Sequence, residues 1–183
     1  MIERIIKVFT FKNEVYKEVE EDASFTPTAW VIVAVVAFLS QLGANAALVH
    51  VDGGSWLMGT ITGTITAVLG FALGCFAISW AGKTIFKADV SFEEMVRMLG
   101  LANVWSIIGF VGILGAISPT LVCITGPFAL IAAFAGLAAW FIAAKEALDL
   151  EWPQTIGAVI IGWVISSVIA ILLRNLIGGL FGM

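Results

Sequence analysis

The chain has 183 residues, of which 61% are apolar and only 12% are charged, and its formal net charge is −4. Water-soluble domains are nearer half apolar and a quarter charged. This composition therefore excludes an ordinary soluble core and predicts an integral membrane protein. The nine cations are spread along the chain rather than gathered in a basic patch, so no nucleic-acid partner is predicted.

The first 27 residues are predicted to form an amphipathic leader that precedes the membrane domain. Apolar residues recur there at helical spacing, with a break near residues 10–13: Ile2, Ile5, Ile6, Phe9, then Val15, Tyr16 and Val19. A segment of this kind is expected to lie in the membrane interface, held there by burial of its apolar face.

Five apolar runs follow, each long enough to cross a hydrocarbon core, which takes about 20 helical residues. We predict spans at Thr28–His50, Trp56–Ala81, Glu93–Ile117, Thr120–Ala147 and Gln154–Ile177. Pro27, Pro119 and Pro153 stand where first helical turns begin, and Ser91 with Glu94 predicts a capping box for the third span. The predicted fold is therefore an all-α integral membrane protein, with residues 28–183 forming one five-helix membrane domain.

The second span carries a stripe of small residues. Gly59, Gly63, Ala67, Gly70 and Gly74 fall within an arc of about 80° on a helix. The alternating threonines from residue 60 to 66 also suit a strand, but an isolated strand leaves backbone groups unpaired in lipid. We therefore predict a helix-packing face at these five residues, with a glycine hinge for gating as the alternative.

Few polar side chains are predicted inside the membrane. The span centres hold no charged residue, and Gln41, Asn45 and Asn103 form the candidate intramembrane polar cluster. Amides of this kind most often cross-link helices, and a small polar path is the alternative. The charges near span ends are expected to reach an interface by snorkelling; these are Arg97, Lys145, Glu146 and Arg174.

Signs of cofactor chemistry or catalysis are lacking in the sequence. His50 is the sole histidine, and one histidine beside Asp52 is too few ligands for a metal site; a single axial ligand to a tetrapyrrole is the alternative. Residues 77–84 fit a relaxed phosphate-loop pattern, but they end a predicted membrane helix, where a phosphate loop cannot form. We predict no cofactor, and since no nucleophile–base set can be assembled in the membrane, no enzyme.

The distribution of cations predicts the orientation. Eight lie before span one, between spans two and three, or between spans four and five: Arg4, Lys7, Lys12, Lys17, Lys83, Lys87, Arg97 and Lys145. Only Arg174 lies on the other side. The positive-inside rule then places the N-terminus in the cytoplasm and the C-terminus outside the cytoplasmic membrane.

Three segments together resemble the Yip-domain family of polytopic membrane proteins in its short prokaryotic form. They are the leader segment Phe11–Val19, the segment Ala88–Gly100 before and within span three, and Ala143–Leu150 at the end of span four. The resemblance implies five spans and no settled biochemical activity for prokaryotic members. Eukaryotic members act in vesicle traffic and contact prenylated small GTPases, partly through a longer N-terminal region, so that partner is not carried over to this leader.

Two departures from the family pattern weaken any site carried over to those positions. Lys12 stands where the leader often has proline, and residues 101–105 replace a start of span three that contains tyrosine and proline.

The leading hypothesis is a non-enzymatic membrane protein that organises membrane or partner proteins through its small-residue faces and leader. Its expected partners are the lipid bilayer and other membrane proteins or further copies of itself. The first alternative is a permease or channel-like carrier for a neutral or lipid-like solute, which would use Gln41, Asn45 and Asn103. The second is an accessory subunit of a larger membrane complex.

Overall fold

The computed structural model describes the backbone of residues 2–10, 14–50, 52–118 and 120–181, with side chains to residue 171 except at 2, 122, 124 and 170. Seven α-helices lie in these ranges: α1 (Ile2–Phe9), α2 (Glu14–Glu20), α3 (Thr26–Ala44), α4 (Gly53–Phe86), α5 (Phe92–Ala102), α6 (Leu121–Leu148) and α7 (Trp152–Phe181). Three 3-10 segments join or extend them, at Ala23–Phe25, Ala46–His50 and Asn103–Ala116. The same ranges contain no β-strand.

The predicted number of spans is confirmed, because five helical segments are long and apolar enough to cross a membrane. They are Ala23–Ala44, Gly53–Phe86, Phe92–Ala116, Thr125–Leu148 and Trp152–Ile169. The first span ends before the predicted His50, because after Ala44 the chain tightens into a 3-10 turn, in which the Leu48 N–H bonds to the Asn45 carbonyl at 2.9 Å. The second extends further than predicted at both ends.

The third span departs from a regular α-helix. After Ala102 the chain continues as a 3-10 helix over Asn103–Ala116, which has three residues per turn. Small or polar residues occupy every third position of this segment: Asn103, Ser106, Gly109, Gly112 and Gly115. At three residues per turn they form one row along the helix, and this row faces α3.

The structure describes most of the residues that were predicted to mark helix starts. The capping box is confirmed, since Ser91 Oγ accepts from the Glu94 N–H at 3.1 Å and Glu94 Oε2 accepts from the Ser91 N–H at 2.7 Å. Pro27 and Pro153 each stand second in their helices. The phosphate-loop pattern lies within continuous α4. Pro119, Lys12 and the side chain of Arg174 lie outside the described residues.

The structure packs most of the leader's apolar face against protein, whereas Ile6 is 56% exposed; the position of the leader in the membrane interface stays a prediction. Val8, Val15 and Val19 are fully buried and Tyr16 is 1% exposed, mainly because α1 and α2 lie against the third span and α6. These side chains belong to the same hydrophobic core as α5 and α6. We call this end of the bundle the leader side and the opposite end the far side.

The outer surface of the bundle is apolar. α3 packs between α4 and the third span, α6 packs on the third span, and α7 runs along α4. Large apolar side chains point outward from these helices, including Ile61, Ile65, Leu69, Phe128, Ile131, Phe134, Val164 and Ile171, each more than half exposed. Apolar exposure on this scale marks a surface that contacts lipid or another apolar partner.

Candidate functional site

The two features singled out in the sequence, the polar cluster and the small-residue face, meet at the contact between α3 and α4. A Cβ added to Gly63 would lie 2.7 Å from Gln41 Cδ, and one added to Gly59 would lie 3.1 Å from Asn45 Oδ1. Residues four apart lie one above the other on a helix face. The four-residue spacing of the two amides on α3 therefore matches the four-residue spacing of the two glycines on α4, and each amide packs on one glycine.

The two amides of α3 are joined to each other. Asn45 Nδ2 donates to Gln41 Oε1 at 3.1 Å and to the Gln41 backbone carbonyl at 2.9 Å. The helix ends here, so Asn45 also satisfies a carbonyl near the C-terminus of α3. Asn45 therefore acts within α3, and its contact with α4 is through Gly59.

The leader-side half of the small-residue face is arranged differently. Ala67 lines a cavity with Gln41 and Asn103. At Gly70 and Gly74, an added Cβ would meet no described atom within 4 Å. Of the five predicted residues, the structure thus brings Gly59 and Gly63 against α3, whereas Gly70 and Gly74 have space for a Cβ. The packing role of the whole face stays a prediction.

A small polar cavity of about 140 Å³ lies between α3, α4 and the third span. Its lining residues are Val33, Ala37, Ser40, Gln41, Ala67, Phe71, Asn103 and Ser106. Gln41 and Asn103, predicted as members of one cluster, therefore face the same space. Asn45 is not among the lining residues and joins the cavity only through its bond to Gln41.

A larger groove of about 430 Å³ adjoins this cavity, between the third span, α6 and α7. Ser40, Asn103 and Ser106 line both spaces. The groove is also lined by three indoles, Trp105, Trp140 and Trp163, and by small residues of α6. It opens sideways, because its lining residues Leu137 and Trp163 are 40% and 39% exposed.

Close helix contacts bound the polar region at both ends. On the leader side, a Cβ on Gly100 would meet the Ala29 Cβ at 3.1 Å. On the far side, a Cβ on Gly112 would lie 2.9 Å from the Gly43 carbonyl oxygen, and one on Gly43 would overlap the Gly109 carbonyl. Only glycine permits backbones to approach this closely. The polar residues that line the cavity therefore occupy the gap between two tight crossings of α3 with the third span, whereas Asn45 lies beyond the far-side crossing.

The side chains in this gap keep spare hydrogen-bonding capacity. Asn103 Oδ1 accepts from Ser106 Oγ at 3.3 Å. Within the described part of the chain, the amide nitrogens of Asn103 and Gln41 and the hydroxyl of Ser40 make no hydrogen bond. The residues lining both spaces include no titratable side chain. The site can thus bind neutral polar groups, and none of its lining side chains is equipped for proton transfer.

Sequence reasoning missed Ser40, Ser106 and the three tryptophans of the groove. The available signal was the small or polar residue at every third position from Asn103 to Gly115. That period belongs to a 3-10 helix and disappears when the segment is plotted at 3.6 residues per turn.

A second polar site ties the leader to the bundle through Arg97. The sequence predicted that this side chain snorkels to an interface, but the structure buries it in protein, 4% exposed. Its guanidinium donates to the Val19 carbonyl at 3.1 Å, the Glu20 carbonyl at 2.7 Å and Thr26 Oγ1 at 3.2 Å. Charge-assisted bonds of this kind are stronger than neutral ones, so Arg97 holds the leader at the start of α3.

Two other charges near span ends, Lys145 and Glu146, form ion pairs at the leader-side end of α6. Glu146 lies 3.9 Å from Lys17 and 3.8 Å from Lys145, which joins the leader to α6. Burial raises the pKa of the Glu20 carboxyl, and the nearby charges of Asp149 and Glu94 raise that pKa further.

Tyr16 adds a buried contact between the leader and α6. Its hydroxyl donates to the Ala139 carbonyl at 3.5 Å, and burial raises the pKa of this phenol well above its usual value. The phenol therefore stays neutral, and its ring contributes chiefly by packing.

His50 takes a structural position on the far side. Its Nε2 lies 3.3 Å from the Gly115 carbonyl oxygen, the last member of the row that faces α3. Among the described residues, no group of three or more side chains of the metal-binding types comes together.

Five apolar helices, a lipid-facing apolar surface and a neutral polar gap inside the bundle define a polytopic α-helical membrane protein. The Yip1 domain family model matches residues 6–174, nearly the whole chain. The chain belongs to the Yip1-domain family. Comparison with curated proteins and with solved structures gives no significant match.

Proposed function

We propose that this protein is a non-enzymatic organiser that receives a partner protein on the leader side of the bundle, at the cytoplasmic face of the membrane. The observation that carries the proposal is the burial of most of the leader's apolar face in the bundle's own core. Docking in this way turns α1 and α2 into a fixed part of the bundle, with their polar side chains outward. Glu3, Glu14, Lys17, Glu18 and Glu21 are all exposed there, a mostly acidic surface that suits a basic partner.

Three glycines of the membrane helices are already covered by other residues of this chain. This favours the leader side over the lipid-facing surface as the place where a partner binds. Gly63 is covered by Gln41, a Cβ added to Gly136 would lie 3.1 Å from the Trp105 Cβ, and Gly162 lies against Ile78. These glycines therefore serve contacts between helices of the same chain. The predicted orientation, with eight of nine cations on this side, supports a cytoplasmic partner.

The packing also weighs against an open path for a solute. The tight crossings at Gly100 and at Gly43 with Gly112 lie on either side of Gln41 and Asn103. In α5, every residue from Met95 to Ala102 is buried. A carrier would need both crossings to separate, whereas an organiser uses the closed arrangement as it stands.

The proposal is tested by placing a photo-activatable cross-linking residue at Glu14 or Glu21 in the full-length protein in its native membrane. We expect a discrete protein adduct at both positions. The matched control is the same residue at Phe128, which is 61% exposed on α6 and should give lipid adducts. Absence of any protein adduct at Glu14 and Glu21, with the protein monomeric in mild detergent, would reject the organiser.

A further inference from the structure

We propose that the lateral groove binds the glycerol region and one hydrocarbon chain of a membrane lipid. This is a binding site additional to the partner surface on the leader side, and it does not depend on that surface. The groove volume of about 430 Å³ lies within the range of about 300–1,000 Å³ usual for small-molecule sites.

The first argument is the surrounding medium. The lining residues belong to segments that are long and apolar enough to span the membrane. A sideways opening at Leu137 and Trp163 therefore faces lipid. Lipid is the molecule that the bilayer presents to such an opening.

The second argument is the order of polarity along the groove. Gly136 of α6 lies opposite Trp105, and the third span and α6 run in opposite directions, so Trp140 lies toward the leader side and Ala129 toward the far side. Asn103 lies at the leader-side end of the row, with Ser106 one 3-10 turn further. Polar donors and indoles therefore gather at the leader-side end of the groove, and small apolar residues line its far-side end.

The chain track lies on α6. Ala129, Ala133, Gly136 and Trp140 follow at helical spacing and line the groove, over a length of about 16 Å at 1.5 Å per residue. Small side chains leave room there for a hydrocarbon chain. A lipid placed with its glycerol at Asn103 and its chain toward Ala129 matches both ends of the groove.

The third argument is the spare hydrogen-bonding capacity. The Asn103 amide nitrogen and the Ser40 hydroxyl lack partners among the described residues, and an unsatisfied polar group is costly away from water. Both can donate to the oxygens of a glycerol linkage, whether ester carbonyls or ether oxygens. Since the groove lining carries no charge, the phosphate of a lipid headgroup is not expected to contribute to recognition.

The test uses the purified full-length protein, delipidated and then incubated with phosphatidylglycerol, with retained lipid counted by native mass spectrometry. One arm uses a diacyl lipid and the other the dialkyl ether analogue, and this comparison identifies the linkage that Asn103 prefers. Asn103→Leu is expected to lower the affinity for the preferred lipid by about tenfold, the size of a lost hydrogen bond together with an impaired fit. Phosphatidylcholine should bind as well as phosphatidylglycerol.

A second variant keeps the test independent of Asn103 and its role in packing. Ala133→Phe places bulk on the exposed chain track and should abolish retention without unfolding the bundle, while Thr62→Val, on the exposed face of α4, should retain lipid as the unmodified protein does. Equal retention by Ala133→Phe, Thr62→Val and the unmodified protein would overturn the proposal. Because the cross-linking experiment at Glu14 does not involve the groove, the two proposals can fail separately.

Discussion

Gln41 lies directly over Gly63, so close that a Cβ on Gly63 would come within 2.7 Å of Gln41 Cδ. A glycine on α4 thus makes room for an amide on α3, and the amide in turn accepts from Asn45 at 3.1 Å. The contact between the first two spans therefore combines close approach with a polar link, which are the two devices that hold helices together in lipid.

Replacing Gly63 with alanine should displace Gln41 and weaken its bond to Asn45. We expect a loss of about 1 kcal/mol in unfolding free energy, since the displaced atoms belong to a side chain that can move. Thermal unfolding in mild detergent measures the effect. Gly70→Ala is the matched control, and at that open site the better helix propensity of alanine should leave stability unchanged or raise it by up to about 1 kcal/mol. Equal effects of the two substitutions would contradict the assigned contact.

Gly43→Ala should destabilise the protein more than Gly63→Ala does. The added Cβ would overlap the Gly109 carbonyl, and a backbone group cannot rotate away as Gln41 can. A cost of about 2–3 kcal/mol is expected, as for other overpacked contacts. Unfolding of Gly126→Ala, where no described atom lies within 4 Å of the new Cβ, provides the baseline. A Gly43→Ala protein as stable as that control would show that α3 and the third span do not cross there.

Arg97→Met should release the leader while leaving the five spans in place. It removes three hydrogen bonds, to Val19, Glu20 and Thr26, and bonds to charged groups contribute about 1.5–3 kcal/mol each. Amide hydrogen exchange over residues 14–25 should become at least tenfold faster, with α4 and α6 unchanged. The control is Lys83→Met, at an exposed position, which should leave this exchange unaltered. If Arg97→Met also left it unaltered, the leader would be held by apolar contacts alone.

Glu20 should make leader docking sensitive to pH. Its pKa is raised above the usual 4.5, first by burial and then by the charges of Asp149 and Glu94. Since the folded-state pKa lies above the unfolded one, the ionised carboxylate opposes docking at neutral pH. This penalty falls as pH drops through the raised pKa and is gone below about 4.5.

The measurement compares the unmodified protein with Glu20→Gln, using hydrogen exchange over residues 14–25 corrected for the intrinsic effect of pH. Glu20→Gln should be better protected at pH 7, and the difference should shrink toward pH 4.5. The comparison is needed because other carboxylates of the leader also titrate. The hydrogen bond from Ser24 lowers the pKa of Asp22, and the one from Lys7 lowers that of Glu18. Both bonds lie within the leader, stabilise its fold at neutral pH and lose that effect on acidification. Glu93→Gln, at an exposed position of α5, serves as the control. A difference that grows on acidification would exclude the assigned role of Glu20.

Composition and run length were sufficient to predict the class of protein and the number of spans, because a bilayer requires about 20 apolar residues in each helix and internal pairing of every backbone group. Ser91 and Glu94 were predictable for a similar reason, since a capping box depends only on residues three apart. The glycine stripe and the amides were also visible as patterns, and two of the five stripe residues, Gly59 and Gly63, do meet α3.

Only the tertiary structure decided what those residues contact. It buried Arg97 under the leader, placed Gln41 and Asn103 on one cavity and separated Asn45 from it. It also wound residues 103–116 at three residues per turn, which aligned Asn103 with Gly115. Local sequence could not determine these points, because helix type and side-chain partners in this bundle depend on how closely α3 approaches the third span. That distance is set by glycines more than 60 residues apart in the chain.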